Sequence, residues 1–151
     1  MEKRQREALA AQYEEEQKKI LDELIELSFS FWDGTNNKYS LKTKKETSIS
    51  HFLEIAVEIL KKDFPEIRQL HSSAFIYVKE DIIIPYDYTF YDLIINDAKG
   101  RNGSLFTLTK KQDFDKDEGY VAKILERKWY EKNKHIFPAN RWEIYDPLKN
   151  N

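Results

Sequence analysis

The chain has 151 residues, enough for one domain of ordinary size, and 40% of them are hydrophobic while 34% are charged. This composition is too apolar for disorder along the whole chain, and the net charge of −2 lacks the basic excess that is typical of duplex-binding proteins. The sequence contains no cysteine, which excludes disulfides, thiolate metal ligands and a cysteine nucleophile, and no apolar run approaches the roughly 20 residues of a membrane span.

Residues 2–26 predict a helix, because they are rich in Glu, Lys, Gln, Arg, Ala and Leu and contain neither Gly nor Pro. Their apolar side chains form a partial stripe that acidic residues interrupt, and no heptad seam results. We therefore expect a monomeric domain from which residues 1–24 project as a helical extension, and we expect residues 2–20 to contribute little to stability. The segment begins as if inside a longer helix, so we expect the chain to be a C-terminal piece of a larger protein.

A period of two residues replaces the helical period from Ile25 onward, which is typical of a strand with one buried face. A turn signal at Asp33-Gly34 follows, and the alternation resumes at Tyr39, so the pattern predicts a β-hairpin. Ser48 is then the predicted N-cap of a helix that Pro65 closes. The apolar residues of this helix recur on one face: Ile49, Phe52, Leu53, Ala56, Leu60 and Phe64.

Short β-rich runs follow at Ala74–Val78 and Ile82–Ile84, with a helical turn near Phe90 and a last predicted strand at Leu105–Leu108. Hairpin, long helix, two short strands, helical turn and final strand is the order of elements in a β-grasp domain, where one helix covers one face of the sheet. We therefore predict an α+β fold with a ubiquitin-like β-grasp domain over residues 25–110. Its single core is expected to include Phe29, Phe31, Leu53, Leu60 and Ile76.

Residues 111–151 are predicted to add a polar linker, a C-terminal helix and an irregular aromatic tail that packs on the domain. The linker covers residues 111–119 and the helix covers Tyr120–Lys134, with an apolar stripe at Tyr120, Val121, Ile124, Leu125 and Trp129. An irregular segment is costly to order unless its rings are buried. We therefore expect Trp129, Phe137 and Trp142 to be the structural anchors of the tail.

No pattern of polar residues predicts catalysis, a cofactor or a metal site. The three histidines are scattered along the chain: His51, His71 and His135. The acidic run that begins at Asp113 departs from a calcium loop, because its sixth position is Glu118 rather than glycine and its twelfth is Ile124. The neighbouring carboxylates of Glu80-Asp81 are predicted to lie in a turn, where they cannot share one substrate atom.

Cationic side chains alternate with the rings of the tail, a mixture typical of surfaces that bind proteins or single-stranded RNA. The residues that we predict to face a partner are Lys132, Lys134, His135 and Arg141. An alternative remains open, in which the rings close the core and the cations are merely solvated. The same alternative holds for two basic patches, Lys38, Lys42, Lys44 and Lys45 in one and Lys123, Arg127, Lys128, Lys132 and Lys134 in the other.

The segment Trp129–Pro138 reads Trp-Tyr-Glu-Lys-Asn-Lys-His-Ile-Phe-Pro, and the motifs Arg141–Glu143 and Tyr145–Pro147 follow it. Together these motifs closely resemble the C-terminal signature of the XAP-five family, which includes the plant circadian timekeeper proteins and the animal FAM-fifty proteins. Further matches are Phe29–Gly34, the helix from Phe52 to Phe64, Tyr77–Pro85 and Phe90–Asp92. The resemblance covers residues 25–148.

The resemblance implies a nuclear protein that is associated in animals with the spliceosome and pre-mRNA processing, and elsewhere with chromatin and the timing of gene expression. We therefore expect a non-enzymatic nuclear adaptor that docks on ribonucleoprotein partners, which are spliceosomal or other nuclear proteins and RNA. The alternative is a chromatin-associated transcription regulator that contacts DNA or histones, and an unrecognised hydrolase is a third. We expect no cofactor and no membrane partner.

Overall fold

The computed structural model describes residues 2–33, 36–100, 103–106 and 121–148, which form an α+β fold. These residues contain four α-helices, α1 (Glu2–Asp22), α2 (Ile49–Asp63), α3 (Phe90–Ile95) and α4 (Arg127–Asn133). They contain eight strands, β1 (Leu24–Trp32), β2 (Asn36–Lys44), β3 (Phe75–Lys79), β4 (Ile82–Ile84), β5 (Lys99–Gly100), β6 (Gly103–Ser104), β7 (Ala122–Glu126) and β8 (Glu143–Ile144). Six strands make one mixed sheet in the order β2-β1-β7-β3-β4-β8, and β5 and β6 form a separate pair.

β1 and β2 form the antiparallel hairpin that the alternation predicts, with nine residue pairs in register. The residues of β1 that point toward α2 are buried: Ile25, Leu27, Phe29 and Phe31. On β2 the same side carries Tyr39, whose ring stacks on Phe29 with centroids 5.6 Å apart. Because the side-chain period of a strand is two, this register alone decides which face of the hairpin meets the helix.

α2 begins where the sequence predicts, since the hydroxyl of Ser48 accepts the backbone N–H of His51 at 3.2 Å. The helix ends at Asp63, ahead of Pro65, which restricts the residue before it. Six of its residues are buried against the sheet: Ile49, Phe52, Leu53, Ala56, Val57 and Leu60. The expected sheet–helix core is therefore confirmed for four of its predicted members, Phe29, Phe31, Leu53 and Leu60.

The predicted helix over Tyr120–Lys134 is wrong in its first half, where the chain forms β7; Tyr120 itself lies outside the described residues. β7 lies between β1 and β3, parallel to the first and antiparallel to the second. Both of its faces are buried, with Ile124 in the cluster under α2 and Leu125 in a second cluster on the opposite face. A strand that is apolar on both faces has no period of two, so its pattern resembles the stripe of a helix.

Three smaller expectations also differ from the structure. Leu105 and Phe106 are buried but lie in no strand, and the remainder of the strand predicted at Leu105–Leu108 falls outside the described residues. Ile76 is buried in the second cluster rather than in the core under α2, because successive residues of β3 point to opposite faces. The N-terminal helix ends at Asp22, since the period of two already begins with β1.

α1 contacts the rest of the domain near its C-terminal end. The side chains of residues 3–16 are exposed, whereas the side-chain oxygen of Gln17 accepts the hydroxyl of Tyr91 at 3.3 Å. Beyond the helix, the backbone N–H of Lys45 donates to the carbonyl of Glu23 at 3.1 Å. None of the helices in the described ranges is long and apolar enough to cross a membrane.

Deleting residues 2–16 is expected to change the free energy of unfolding by less than about 0.5 kcal/mol, as for other changes at exposed positions. Urea unfolding of the shortened and complete chains at two protein concentrations measures this difference. A loss of about 2 kcal/mol or more would mean that the helix packs along its length. A loss that grows on dilution would mean that it holds a dimer together.

Candidate interaction surface

The C-terminal segment covers the face of the sheet that points away from α2. On this face the segment buries Trp142, 6% exposed, which stacks on Tyr130 with ring centroids 5.8 Å apart and an interplanar angle of 12°. Trp129 lies 6.3 Å from Trp142 and meets Trp32 of β1 edge-on at 6.0 Å. The buried residues of this second cluster are Ile76, Val78, Leu125, Ala139 and Trp142. Trp129 of α4 and Trp142 of the tail thus contact each other on this face of the sheet.

The backbone of the tail also extends the sheet. β8 pairs with β4 in parallel, the N–H of Glu143 donates to the carbonyl of Asp81 at 3.0 Å, and the N–H of Tyr145 donates to the carbonyl of Ile83 at 2.9 Å. Tyr145 is buried in the core under α2, edge-on to Tyr88 with centroids 5.2 Å apart. The tail therefore contacts one cluster through Trp142 and the other through Tyr145, which fixes its orientation.

The prediction that Phe137 anchors the tail is wrong, because its ring is 66% exposed. The buried residues of the tail recur at every third position, Ala139, Trp142 and Tyr145. A 3-10 turn at Ala139–Arg141 brings Ala139 and Trp142 to the same side, since a 3-10 helix has three residues per turn, and β8 lies between Trp142 and Tyr145. Phe137 precedes this turn and lies outside, where the guanidinium carbon of Arg141 is 4.9 Å from the centre of its ring.

The four residues predicted to face a partner are all exposed, but in separate settings. Arg141 lies over Phe137, as described above. Lys134 forms an ion pair with Glu131 at 3.1 Å. Lys132 borders a groove beside α4, and His135 lies just beyond the end of that helix. The structure therefore joins Arg141 to an exposed ring, a pairing that the sequence pattern did not predict.

An apolar groove of about 370 Å³ separates α4 from the segment that precedes β3. Leu70 and Ala74 line it together with Arg127 and Lys132. Arg127 donates to the hydroxyl of Tyr86, which donates in turn to a backbone carbonyl of β3. No sequence signal predicts this groove, because its two walls are far apart along the chain and meet only when β7 enters the sheet.

The basic patch predicted around β2 is smaller than its sequence suggests. Lys45 is buried and forms an ion pair with Glu23 at 2.7 Å, and Lys44 forms one with Asp22 at 3.5 Å. Lys38 and Lys42 are exposed, and neither forms an ion pair within the part of the chain that the structure describes. Two unpaired cations therefore remain on the face of β2 that points away from α2.

Glu80 and Asp81 form the predicted turn, the two-residue connection between β3 and β4. Both have positive φ, 48° and 68°, as in the type I′ turns that usually carry Asn and Gly. Gly100 packs so closely on this turn that an added Cβ would lie 2.6 Å from the Cβ of Glu80. The side chain of Glu80 is buried, which raises the pKa of its carboxyl, while the charge of Lys79 opposes the shift and that of Asp81 adds to it.

Glu80→Gln is expected to stabilise the protein at pH 7, with a gain that disappears as the pH falls to about 4. A carboxyl whose pKa is raised in the folded state binds more protons there than in the unfolded chain. The free energy of unfolding therefore falls as the pH rises above the ordinary value of 4.5. Urea unfolding between pH 4 and 7 measures this, with exposed Glu66→Gln as the control. An equal difference at every pH would contradict the burial of an ionised Glu80.

No group of three His, Cys, Asp or Glu within the described ranges could hold a metal ion. His51 faces Glu54 at 3.3 Å on the surface of α2. His71 accepts the backbone N–H of Ser73 at 3.1 Å and so caps a 3-10 turn. The acidic run that begins at Asp113 lies outside the described residues.

The chain is similar to known proteins over nearly its whole length. The model of a family described as "XAP5, circadian clock regulator C-terminal domain" matches residues 23–151. Protein XAP5 CIRCADIAN TIMEKEEPER of Arabidopsis thaliana is 45% identical over 98% of this chain and 46% of its own length. Protein FAM50 homolog of Aedes aegypti is 41% identical over 99% of this chain and 45% of its own length. The chain thus spans a little under half the length of these relatives.

Proposed function

Because the chain belongs to the XAP5 family, we propose that it is a domain of a non-enzymatic nuclear adaptor that associates with the spliceosome and serves pre-mRNA processing. The description of the family as a clock regulator and the name of its plant relatives favour a regulatory role over a catalytic one. The proposal places the docking surface on α4 and the tail, with spliceosomal proteins or RNA as partners.

The observation that carries this proposal is the division of the tail into an inner and an outer side. Trp142 and Tyr145 are buried against the sheet and β8 is hydrogen-bonded to β4, so the tail is packed on the domain. The outer side carries Phe137 and Arg141 in contact with each other. An exposed aromatic ring under an arginine is the composition of an interface hot spot, and a rigid support lowers the entropic cost of binding.

The groove beside α4 supplies a second contact for the same partner. Its walls are mostly apolar, while Arg127, Lys128 and Lys132 place positive charge at its border, next to the carboxylates of Glu126 and Glu131. Arg127 is held in place through Tyr86, so this border is also preorganised. A partner that carries negative charge next to an apolar or planar group would match this site, because the charge can contact the cations while the other group enters the groove. An acidic protein segment and a single strand of RNA both have this composition.

We also infer that the fold is a ubiquitin-like β-grasp. The strand order β2-β1-β7-β3-β4, with β1 and β7 parallel at the centre and α2 against one face, supports this. β-grasp domains mostly bind other proteins, so this inference agrees with an adaptor role but does not by itself indicate a partner.

The test uses the double variant Lys132→Glu with Lys134→Glu in the full-length protein. Crosslinking in nuclear extract, followed by identification of the bound proteins and RNA, is expected to recover spliceosomal components with the unaltered protein and several-fold less with the variant. Added salt should weaken the same recovery. Because both lysines are exposed, unfolding should be almost unchanged. Lys18→Glu with Lys19→Glu on exposed α1 is the matched control.

Three results would contradict the proposal. If histones or DNA fragments replace spliceosomal components among the crosslinked molecules, the protein is a chromatin-associated regulator. If recovery of spliceosomal components survives the charge reversal, α4 and the tail are structural and the docking surface lies elsewhere. A cytoplasmic distribution of the full-length protein would exclude both nuclear roles.

A further inference from the structure

β2 is the last strand at one side of the sheet, and it is nine residues long. One of its edges pairs with β1 along its whole length. No strand pairs with the other edge within the ranges that the structure describes. Alternate N–H and C=O groups on that edge therefore point outward, which makes the edge a template for a further strand.

A groove of about 590 Å³ runs beside this edge, between β2 and α2. Its two apolar lining residues are Leu24 and Ile55, and the other lining residues are polar or charged: Lys42, Thr43, Lys44, Glu46, Thr47, Ser48 and His51. The hydroxyl of Tyr39, in the first half of β2, donates to the carboxylate of Asp63, the last residue of α2, at 2.7 Å. The C-terminal end of α2 therefore also lies beside β2. The inner side of β2 thus borders a cleft of mixed polar and apolar lining, in which Ile55 offers an apolar contact.

The outer side of β2 is positively charged. Its sequence contains three lysines, Lys38, Lys42 and Lys44, and no acidic residue. All three lysines belong to the face away from α2 in the alternation with Tyr39 and Thr43, and two of them, Lys42 and Lys44, also line the groove at the strand edge. Lys38 and Lys42 are four residues apart, which is about 13 Å along a strand. Glu26 lies opposite Lys42 in the β1–β2 register without forming an ion pair among the described residues.

We propose that the free edge of β2 binds an extended segment of another protein by strand addition, and that this segment alternates apolar with acidic residues. The alternation follows from the pleat, since a strand paired with β2 points its side chains to the same two sides. Its apolar residues enter the groove beside Ile55, and its acidic residues, four apart, face Lys38 and Lys42. This peptide site is separate from α4 and the tail and does not depend on the function proposed for them.

A peptide fits this site better than a nucleic acid does. Binding of single strands relies on base stacking against exposed aromatic rings. The outer side of β2 carries Lys38, Ser40, Lys42 and Lys44, while the ring of Tyr39 is turned inward against Phe29. The hydrogen-bonding groups of a strand edge, in contrast, match a peptide backbone and have no counterpart in a nucleic acid.

The experiment titrates the protein with a labelled, end-capped octapeptide in which glutamate alternates with isoleucine or valine, followed by fluorescence anisotropy. Saturable binding is expected, and Lys38→Glu with Lys42→Glu should weaken it by about tenfold. Hydrogen exchange of alternate amides of β2 should slow on binding, which is the direct sign of strand addition. Lys18→Glu with Lys19→Glu is the matched charge control, and Lys132→Glu with Lys134→Glu should leave the affinity unchanged.

Two altered probes make the test specific. The same peptide with alternate backbone nitrogens methylated keeps its side chains but loses its donors, so it should no longer bind. The peptide with lysine in place of glutamate should bind far more weakly. Equal binding of either probe overturns the proposal. It is also overturned if a single-stranded RNA oligonucleotide depends on Lys38 and Lys42 while the acidic peptide does not bind.

Discussion

Trp142→Ala is expected to lower the free energy of unfolding by about 3–5 kcal/mol, the usual loss when a large buried ring is truncated. Trp142 is almost fully buried, stacks on Tyr130 and contacts Trp129 across the second cluster. Its removal leaves a cavity between the tail and the sheet and frees the segment that carries β8. Urea unfolding at pH 7 measures the loss, and proteolysis should cut the tail of the variant first.

Phe137→Ala is the matched control for this prediction. Its ring is exposed and contacts the guanidinium of Arg141, so the loss of stability should stay below about 1 kcal/mol. The same change should reduce recovery of the partners proposed above, whereas Trp142→Ala acts on folding first. Similar losses of stability in both variants would mean that the tail is not held as described.

Phe52→Ala is expected to cost a similar 3–5 kcal/mol, because this ring is the centre of the core under α2. It is fully buried and meets three rings edge-on, Phe29 at 5.7 Å, Tyr77 at 5.7 Å and Phe90 at 5.3 Å between centroids. Edge-on aromatic pairs add about 0.5–1.5 kcal/mol beyond the burial of area. The truncation therefore weakens contacts with β1, β3 and α3 together.

His51→Ala changes the neighbouring residue of the same helix and is the control. Its side chain is exposed and contacts only Glu54 among the residues that the structure describes, so the change should stay within about 0.5 kcal/mol. Chemical denaturation of both variants distinguishes them. A loss below about 1 kcal/mol for Phe52→Ala would contradict the position of α2 over the sheet.

At the candidate surfaces, the sequence indicates which cations are exposed, but only the tertiary structure shows which groups they contact. The sequence predicted that Lys132, Lys134, His135 and Arg141 are exposed, and composition was sufficient for that. It did not predict that Arg141 covers Phe137, or that Lys45 is withdrawn from the β2 patch by its pair with Glu23. Such pairings depend on which segments the fold brings together, and charge alone does not specify them.

The sequence by itself determined the hairpin and α2, because each buries one face and therefore shows its own period, two for the strands and 3.6 for the helix. Ser48 and Pro65 also marked the ends of α2 through purely local chemistry. Only the tertiary structure decided that Ala122–Glu126 form a central strand rather than the first half of a helix. A strand buried on both faces carries no periodic signal, so pairing with β1 and β3 overrides its local pattern. The tertiary structure also decided which rings of the tail are buried, since the 3-10 turn and the pairing of β8 with β4 place Trp142 inside and Phe137 outside.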